Sequence, residues 1–162
     1  MLRSDSQVRK PLIIFLISFT VIFFDYLTKK IIVESVSPFE SINVLPFLRI
    51  VHVENKGAAF GLFANLGNKI FIGISIIAIT LIIIYTLKFV RGKEIYSLPL
   101  ILGGAIGNLI DRVRLGNVID FIDVYVGKWH WPAFNVADSA LTIGIILFIW
   151  SNLRSGELKK SG

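Results

Sequence analysis

The side chains in this sequence best suited to chemistry are acids and amides, and several lie in its second half. "VIDF" contains Asp120, and "FNVADSALTIG" (134–144) opens an apolar run with Asn135 and Asp138. Two carboxyl groups that meet at a site can share one proton, because like charges a few ångströms apart do not both ionise. The ionised partner then acts as a base on water, and the protonated partner donates to a carbonyl oxygen. Such a pair hydrolyses a peptide bond with neither a metal nor a covalent intermediate, but spacing alone does not show that Asp120 and Asp138 meet.

The composition of the chain indicates what kind of structure must position these acids. Of its 162 residues, 54% are hydrophobic and 17% are charged, whereas soluble domains are about 25% charged. The mean hydropathy is +0.74, which favours a membrane protein. Because the sequence has no cysteine, it excludes a disulfide framework and any thiol or Cys-based metal site.

Four apolar segments approach the ~20 residues that a membrane-spanning helix needs. They cover about 12–28, 70–87, 96–110 and 135–153. We interpret the first as a retained span and not a cleaved signal peptide, because no convincing cleavage site follows it. The terminal "SGELKKSG" (155–162) is expected to be a disordered tail. We therefore predict one integral-membrane domain, residues 1–162, with four transmembrane helices.

The positions of the basic residues predict the orientation of these helices. Lysine and arginine near span ends favour the cytoplasmic side, which places both termini and the 88–95 turn in the cytoplasm. This arrangement explains nine of the 17 basic residues without nucleic acid, despite the net charge of +6. The nine are Arg3, Arg9, Lys10, Lys88, Arg91, Lys93, Arg154, Lys159 and Lys160.

With that topology, two loops of about 29–69 and 111–134 lie outside. In the first loop, β-branched and aromatic residues over 43–55 predict one or two short strands. "NKGAAFG" (55–61) is typical of a turn with close backbone approach. Most of the unusual polar residues then fall at one depth, near the outer span ends or in these loops. They are Asp25, Asn55, Asn108, Asp111, Arg112, Asp120, Asp123, Asn135 and Asp138.

A carboxylate at the centre of a membrane helix costs ~2.5–3.5 kcal/mol and generally faces the protein interior. Several acids at one depth therefore predict a polar site just under the outer surface. Each also has a structural interpretation. Asp25 and Lys29, four residues apart, suit a solvated ion pair. Asp111 and Arg112 suit an interfacial pair that holds the third span against its neighbours, and Asn135 suits an N-cap.

Three other features carry weaker functional interpretations. Gly103 and Gly107 form a G-x-x-x-G pattern, which favours helix packing over ligand binding. Ser139 is a poor candidate nucleophile, because no histidine is placed to assist it. His52 and His130 lack metal-ligand spacing.

Long ordered motifs connect the sequence to a known family. "GNLIDRVRLGNVIDFID" (107–123) and "PAFNVADSALTIG" (132–144) closely resemble lipoprotein signal peptidase, or signal peptidase II. "NKGAAFG" (55–61) and the aspartate of "FFDYLTKK" (23–30) match that family as well, so the resemblance covers nearly the whole chain. It implies a bacterial inner-membrane aspartyl endopeptidase that removes signal peptides from diacylglyceryl-modified prolipoproteins, cutting before the lipidated cysteine.

The resemblance also implies roles for individual residues. Asp120 and Asp138 correspond to the catalytic aspartates, and six residues surround the active site: Asp25, Asn55, Asn108, Asp111, Arg112 and Asn135. It further implies a small extracytoplasmic β-sheet from the first outer loop, an active site toward the extracytoplasmic side, and no cofactor or metal. The expected partners are diacylglyceryl-prolipoproteins, membrane lipid and cyclic lipopeptide inhibitors, and not nucleic acid.

Two other functions are weighed against this one. The acids of 111–123 loosely resemble the metal-binding aspartates of lipid-headgroup phosphotransferases, but the expected D-G-x-x-A-R is missing. A proton or ion pathway also uses buried acids, but here the acids lie at one depth and are not strung across the bilayer. Divalent-metal dependence would favour the first alternative, and flux without proteolysis the second.

Overall fold

The computed structural model describes the backbone of residues 3–38, 40–57, 64–89 and 94–160, and the side chains of 9–38, 40–57, 65–89 and 94–153. Over these residues it is mostly helical, with one small antiparallel sheet. The helices are α1 Arg3–Ser35, α2 Asn68–Phe89, α3 Glu94–Arg114 and α4 Val136–Lys160, with a short 3-10 turn at Ala64–Leu66. The strands are β1 Ser41–Leu45, β2 Leu48–Asn55, β3 Val118–Val126 and β4 Trp129–His130.

Three helices in the described part of the chain are long and apolar enough to cross a membrane. They cover Arg9–Ser35, Asn68–Phe89 and Val136–Leu153. Many of their large apolar side chains face outward, as Phe15 and Ile77 do with about three-fifths of their surface exposed. A soluble protein rarely exposes so continuous an apolar surface.

The predicted third span, about 96–110, lies within α3, but α3 is not among these three helices. It contacts each of the other helices and is the most enclosed of the four. Its glycines allow this close packing: a Cβ on Gly103 would lie 2.8 Å from the Cβ of Val21 in α1. One on Gly104 would collide with the carbonyl oxygen of Ala137 in α4. The helix-packing interpretation of the glycine pattern is therefore confirmed at Gly103.

The helices extend past the apolar segments that predict them. Most notably, α4 continues to Lys160, so residues 155–160 are helical where the sequence predicts a disordered tail. The Glu, Leu and Lys residues there are good helix formers, which explains the continuation past the apolar run. Residues 90–93 of the predicted cytoplasmic turn and 161–162 of the predicted tail lie outside the described residues.

The sheet has the order β1-β2-β3-β4, with every pair of neighbours antiparallel. Two strands over 43–55 are confirmed, since β1 and β2 pair across a turn at residues 46–47. The expected small sheet is present, but the first outer loop supplies only β1 and β2, because β3 and β4 come from the second loop. The apolar residues of "VIDFIDVYV" are β-branched or aromatic and suit a strand, but its two aspartates are of a residue type that is depleted in strands. The aspartates therefore favour the loop that the sequence predicts.

A small apolar cluster joins the sheet to the helices. Ile32 and Val36 at the end of α1 pack against Ile119 and Phe121 of β3, and all four are buried. The tight connection from α3 to β3 contains Gly116 at φ +83°, a conformation that favours glycine. These contacts hold β3 beside the outer ends of the helices, where α4 begins.

Candidate active site

Two elements bring the predicted acids to one place. Asp120 lies on β3, and Asp138 lies in the first turn of α4. Both line a cavity of about 510 Å³, together with Asn55, Asn108 and Arg112. The chain segment 131–134 and residues 141–143 of α4 form much of the rest of its wall. The structure thus places the two carboxyl groups on one cavity, which the spacing in the sequence does not show.

Asn135 connects the two acids and is fully buried. Its Oδ1 accepts a hydrogen bond from the backbone N–H of Asp138 at 2.8 Å, and the Asp138 carboxylate accepts one from the backbone N–H of Asn135 at 3.2 Å. This reciprocal arrangement is a capping box with an aspartate in the acidic position. The Nδ2 of Asn135 donates to Asp120 at 2.7 Å. The N-cap interpretation and the active-site interpretation of Asn135 therefore both describe the same side chain.

Two more asparagines hold the remaining carboxylate oxygens. Asn108 Nδ2 donates to Asp138 Oδ1 at 2.8 Å, and Asn55 Nδ2 donates to Asp120 Oδ2 at 2.9 Å. Asn108 Oδ1 accepts from Asn135 Nδ2 at 3.2 Å. Amide side chains thus link the two carboxyl groups in one chain of hydrogen bonds and fix their orientation.

Lys29 is a residue of this network that the sequence analysis does not place in the site. Its Nζ lies 2.7 Å from Asp25 and 2.8 Å from Asp111, and it donates to Asn108 Oδ1 at 3.0 Å. Because Lys29 is only 3% exposed, the interpretation of Asp25 and Lys29 as a solvated pair is wrong. In the sequence, the pattern that indicates Lys29 is a lysine on the same face of an apolar helix as an aspartate. A lysine buried in such a helix requires an acidic partner.

The two acids beside Lys29 also bind backbone groups. Asp25 Oδ1 accepts from the backbone N–H of Ala137 at 2.8 Å, which ties α1 to the N-terminus of α4. Asp111 Oδ2 accepts from the backbone N–H of Ile119 at 3.3 Å, which ties α3 to β3. Each acid therefore positions an element that carries one of the two central aspartates.

Arg112 and Asp111 form no ion pair with each other in the described part of the chain, but each holds α3 against a different neighbour, which agrees with an interfacial role. The guanidinium of Arg112 donates to the carbonyl oxygens of Gly57 at 3.0 Å and Asn108 at 3.4 Å. It also lies over the Phe71 ring, 5.6 Å from the centroid. Arg112 thus joins the turn after β2 to the cavity. Residues 58–61 of the predicted "NKGAAFG" turn lie outside the described residues.

The electrostatics of the site distinguish its two central acids. Burial, and then the nearby charge of Asp138, raises the pKa of Asp120 to about 7, although hydrogen bonds from Asn55 and Asn135 and the charge of Lys29 oppose the shift. Asp138 instead lies at a helix N-terminus, where the backbone amides stabilise a negative charge. This difference suits one protonated and one ionised carboxyl group.

The other candidate residues lie elsewhere or serve other contacts. Asp123 is on the opposite face of β3 from Asp120 and pairs with Arg49 at 2.5 Å and His130 at 3.1 Å. The Nδ1 of His52 is 2.8 Å from a backbone carbonyl oxygen, and Ser139 Oγ donates to the carbonyl oxygen of Asn135 at 2.9 Å. Among the described residues, no group of three His, Cys, Asp or Glu side chains is arranged to hold a metal ion.

Comparisons with known proteins agree on one family. A family model for signal peptidase (SPase) II matches residues 17–154. The lipoprotein signal peptidase of Thermodesulfovibrio yellowstonii is 46% identical over 84% of this chain and 91% of its own length. That of Burkholderia thailandensis is 46% identical over 85% of this chain and 86% of its own length.

Solved structures agree with the sequence matches. A bacterial membrane enzyme solved by the in meso method at 2.3 Å resolution has a TM-score of 0.85 and 37% identity, and the match covers 92% of each chain. A second, at 1.9 Å resolution, has a TM-score of 0.78 and 38% identity over 86% of this chain and 92% of the other. The apolar helices and these matches describe a multi-pass membrane protease, and the chain belongs to the signal peptidase II family.

Proposed function

We propose that this protein is an aspartyl endopeptidase that removes signal peptides from diacylglyceryl-modified prolipoproteins, cutting before the lipidated cysteine. The observation that carries the proposal is the placement of Asp120 and Asp138 on one cavity, joined through Asn135. The names of the relatives, lipoprotein signal peptidases, support this class of substrate. The proposal includes no metal and no organic cofactor.

In the proposed mechanism, Asp138 is ionised and Asp120 holds the shared proton. Asp138 removes a proton from a water molecule, which attacks the carbonyl carbon of the scissile peptide bond, while Asp120 donates its proton to the carbonyl oxygen. The tetrahedral intermediate then collapses: Asp120 removes a proton from one of its hydroxyl groups, the C–N bond breaks, and the proton held by Asp138 moves to the departing nitrogen. The products are the amine of the cysteine and the carboxylic acid of the signal peptide, which ionises by giving its proton to the amine or to water. One proton again remains on the pair, on Asp120.

The surrounding residues are proposed to hold this geometry rather than to react. Asn55, Asn108 and Asn135 donate to the carboxylate oxygens, and so fix the directions in which the remaining lone pairs point. Arg112 places a positive charge on the cavity wall and is bound to backbone carbonyl oxygens. A cation at this position stabilises negative charge that develops on the substrate carbonyl oxygen.

We infer that all four helices cross the bacterial inner membrane, with both termini and residues 88–95 in the cytoplasm. The length of α3, 21 residues, supports a membrane span. Because α3 packs against the three apolar helices, its polar groups are able to face protein and not lipid. The active site then lies at the extracytoplasmic ends of the helices, beside the sheet. The acyl chains of the substrate are expected to lie between the spans, among membrane lipids. Cyclic lipopeptide inhibitors are expected to compete with the substrate for the same groove.

The test is single-turnover cleavage of a lipidated precursor by purified, folded Asp120→Asn and Asp138→Asn variants. Each substitution preserves size and removes one ionisable group, so the rate should fall by several orders of magnitude. The double variant should be little worse than either single one, because groups that act as a unit are not additive. Ser139→Ala is the matched control on the same helix and should retain substantial activity.

Two further arms separate this proposal from the alternatives. A chelator should leave the rate unchanged, whereas a metal-dependent phosphotransferase would lose activity. An unlipidated precursor should be cleaved much more slowly than the lipidated one. Near-native single-turnover rates in either asparagine variant would show that the two-aspartate mechanism is wrong.

A further inference from the structure

The chain segment between β4 and α4 forms an exposed edge of the sheet at the active-site cavity. Near one end, the N–H of Trp131 donates to the carbonyl oxygen of Val124 at 2.8 Å. At the other end, Phe134 exchanges hydrogen bonds with Ile122, from its N–H at 3.0 Å and to its carbonyl oxygen at 2.8 Å. Beyond this segment lies the cavity, and no further strand pairs with it among the described residues.

The segment contains a one-residue bulge at the cavity. Between the two bonded positions β3 has only Asp123, whereas the segment has Pro132 and Ala133. An extra residue of this kind is left out of the ladder of hydrogen bonds and bends the strand, and bulges are frequent beside active sites. Pro132 has no N–H to donate, so the free polar groups of the bulge centre on Ala133.

Ala133 carries a main-chain N–H and C=O without a hydrogen-bond partner among the described residues. It lines the same cavity as Asp120 and Asp138 and is partly buried. An unpaired strand edge is a template for an added strand. Unpaired groups beside two acids therefore point to a main-chain ligand.

We propose that Ala133 binds the main chain of the substrate beside the scissile bond, as an added extended strand. Its C=O accepts a substrate N–H, and its N–H donates to a substrate carbonyl oxygen. The substrate strand lies between the 131–134 edge and the wall formed by Leu141 to Ile143 of α4. This inference rests on the proposed function and specifies how the substrate is held.

The chemistry gives a reason for an extended substrate. In a helix, the carbonyl oxygen of the scissile bond accepts a hydrogen bond from the fourth residue on, and the helix packs its backbone away from external groups. An extended segment leaves the carbonyl open to both carboxyl groups. Pairing with an edge also fixes the register of the strand, which determines the bond that faces the acids.

The experiment uses a series of lipidated precursors in which one amide at a time, upstream of the scissile bond, is replaced by an ester. An ester removes the N–H donor and leaves the side chains unchanged. One position should lose roughly 3- to 10-fold in kcat/KM, the effect of a single hydrogen bond, whereas its two neighbours should change by less than about 2-fold, because the N–H groups of a strand alternate in direction. Equal effects at successive positions, or none at any, would overturn the inference.

Variants of the enzyme test the same contact from the other side. Ala133→Pro removes the N–H and should lower kcat/KM for the all-amide precursor by more than Ala133→Gly does, because the glycine variant preserves both main-chain groups. In Ala133→Pro the position-dependent ester effect should shrink, because the strand is no longer held in register. If Ala133→Pro does not fold, the ester series with the wild-type enzyme decides alone. Failure of the wild-type enzyme to cut the all-amide precursor would contradict the proposed function, whereas cleavage without a position-dependent ester effect would contradict only this inference.

Discussion

Replacing Lys29 with methionine should be among the most damaging single substitutions in the protein. Its Nζ lies between the carboxylates of Asp25 and Asp111, and the three side chains are 4%, 1% and 5% exposed. Removing one partner of a buried ion pair costs about 3–5 kcal/mol, because the remaining charge stays buried without compensation. Since the whole folding free energy of a domain is about 5–15 kcal/mol, Lys29→Met should lose a large part of it.

The same substitution should alter the pH dependence of cleavage in whatever protein remains folded. The charge of Lys29 opposes the increase in the pKa of Asp120, which is about 7 in the native site. Without that charge the pKa should rise further. If Asp120 acts as the protonated partner, the rate is lost as pH rises through this pKa. The alkaline limb of the pH–rate profile should therefore move to higher pH in Lys29→Met.

The chain offers a matched control in the next residue. Lys30 is also a lysine four residues from an acid, but its side chain is 55% exposed and lies 3.8 Å from Glu34. Exposed pairs contribute at most about 1 kcal/mol, so Lys30→Met should unfold at nearly the wild-type denaturant concentration. Denaturant unfolding in mixed micelles compares the two variants, and Lys29→Met combined with Asp111→Asn should recover part of the loss. Equal midpoints for Lys29→Met and Lys30→Met would refute the reasoning.

Three other predictions test separate parts of the structure. The rate of cleavage by the wild-type enzyme should fall as pH rises through about 7, because Asp120 then loses its proton; a pH–rate profile that stays level to high pH would contradict this. Gly104→Ala places a methyl group against the carbonyl oxygen of Ala137 and should destabilise the protein by about 1–3 kcal/mol, the usual cost of overpacking. In the control Gly73→Ala, the added methyl group meets no atom within 4 Å, so its unfolding midpoint should not fall. A single cysteine at position 92 of this cysteine-free chain should react with an impermeant reagent only from the cytoplasmic side, and labelling from outside would reverse the orientation.

The helices were more predictable from the sequence than the sheet. Continuous apolar runs reveal membrane helices because each residue of the run adds to the same signal. β3 has nine residues but carries Asp120 and Asp123 on opposite faces, so neither face shows the regular apolar alternation by which a strand is recognised. The continuation of α4 to Lys160 carries no apolar signal either, since a polar sequence that lacks an apolar face can still continue a helix already formed.

Residue types and motifs indicated most of the site, whereas its pairings depend on the fold. A buried aspartate is easy to notice in an apolar chain, but Asp25 and Lys29 have the same spacing whether they face protein or solvent. Only the packing of α3 against α1 decides between these, because it brings Asp111 and Asn108 to the same lysine. Neighbours in sequence such as Asp111 and Arg112 point in different directions on a helix, so the sequence indicates that both lie at an interface but not which neighbour each contacts.

The balance of charge around the cavity gives a physical reason for a shared proton. Lys29 and Arg112 are two cations near the cavity. Four carboxyl groups lie in the same network: those of Asp25 and Asp111, which bind Lys29, and those of Asp120 and Asp138. With all four ionised, the site would carry an excess of two negative charges in a poorly solvated region; one added proton halves that excess. Asp120 is the acid expected to carry this proton, because the N-terminus of α4 and the backbone N–H of Asn135 already stabilise a negative charge on Asp138. In the proposed mechanism, the contacts that cap α4 therefore also favour Asp138 as the base, so a substitution at Asn135 should disturb stability and catalysis together.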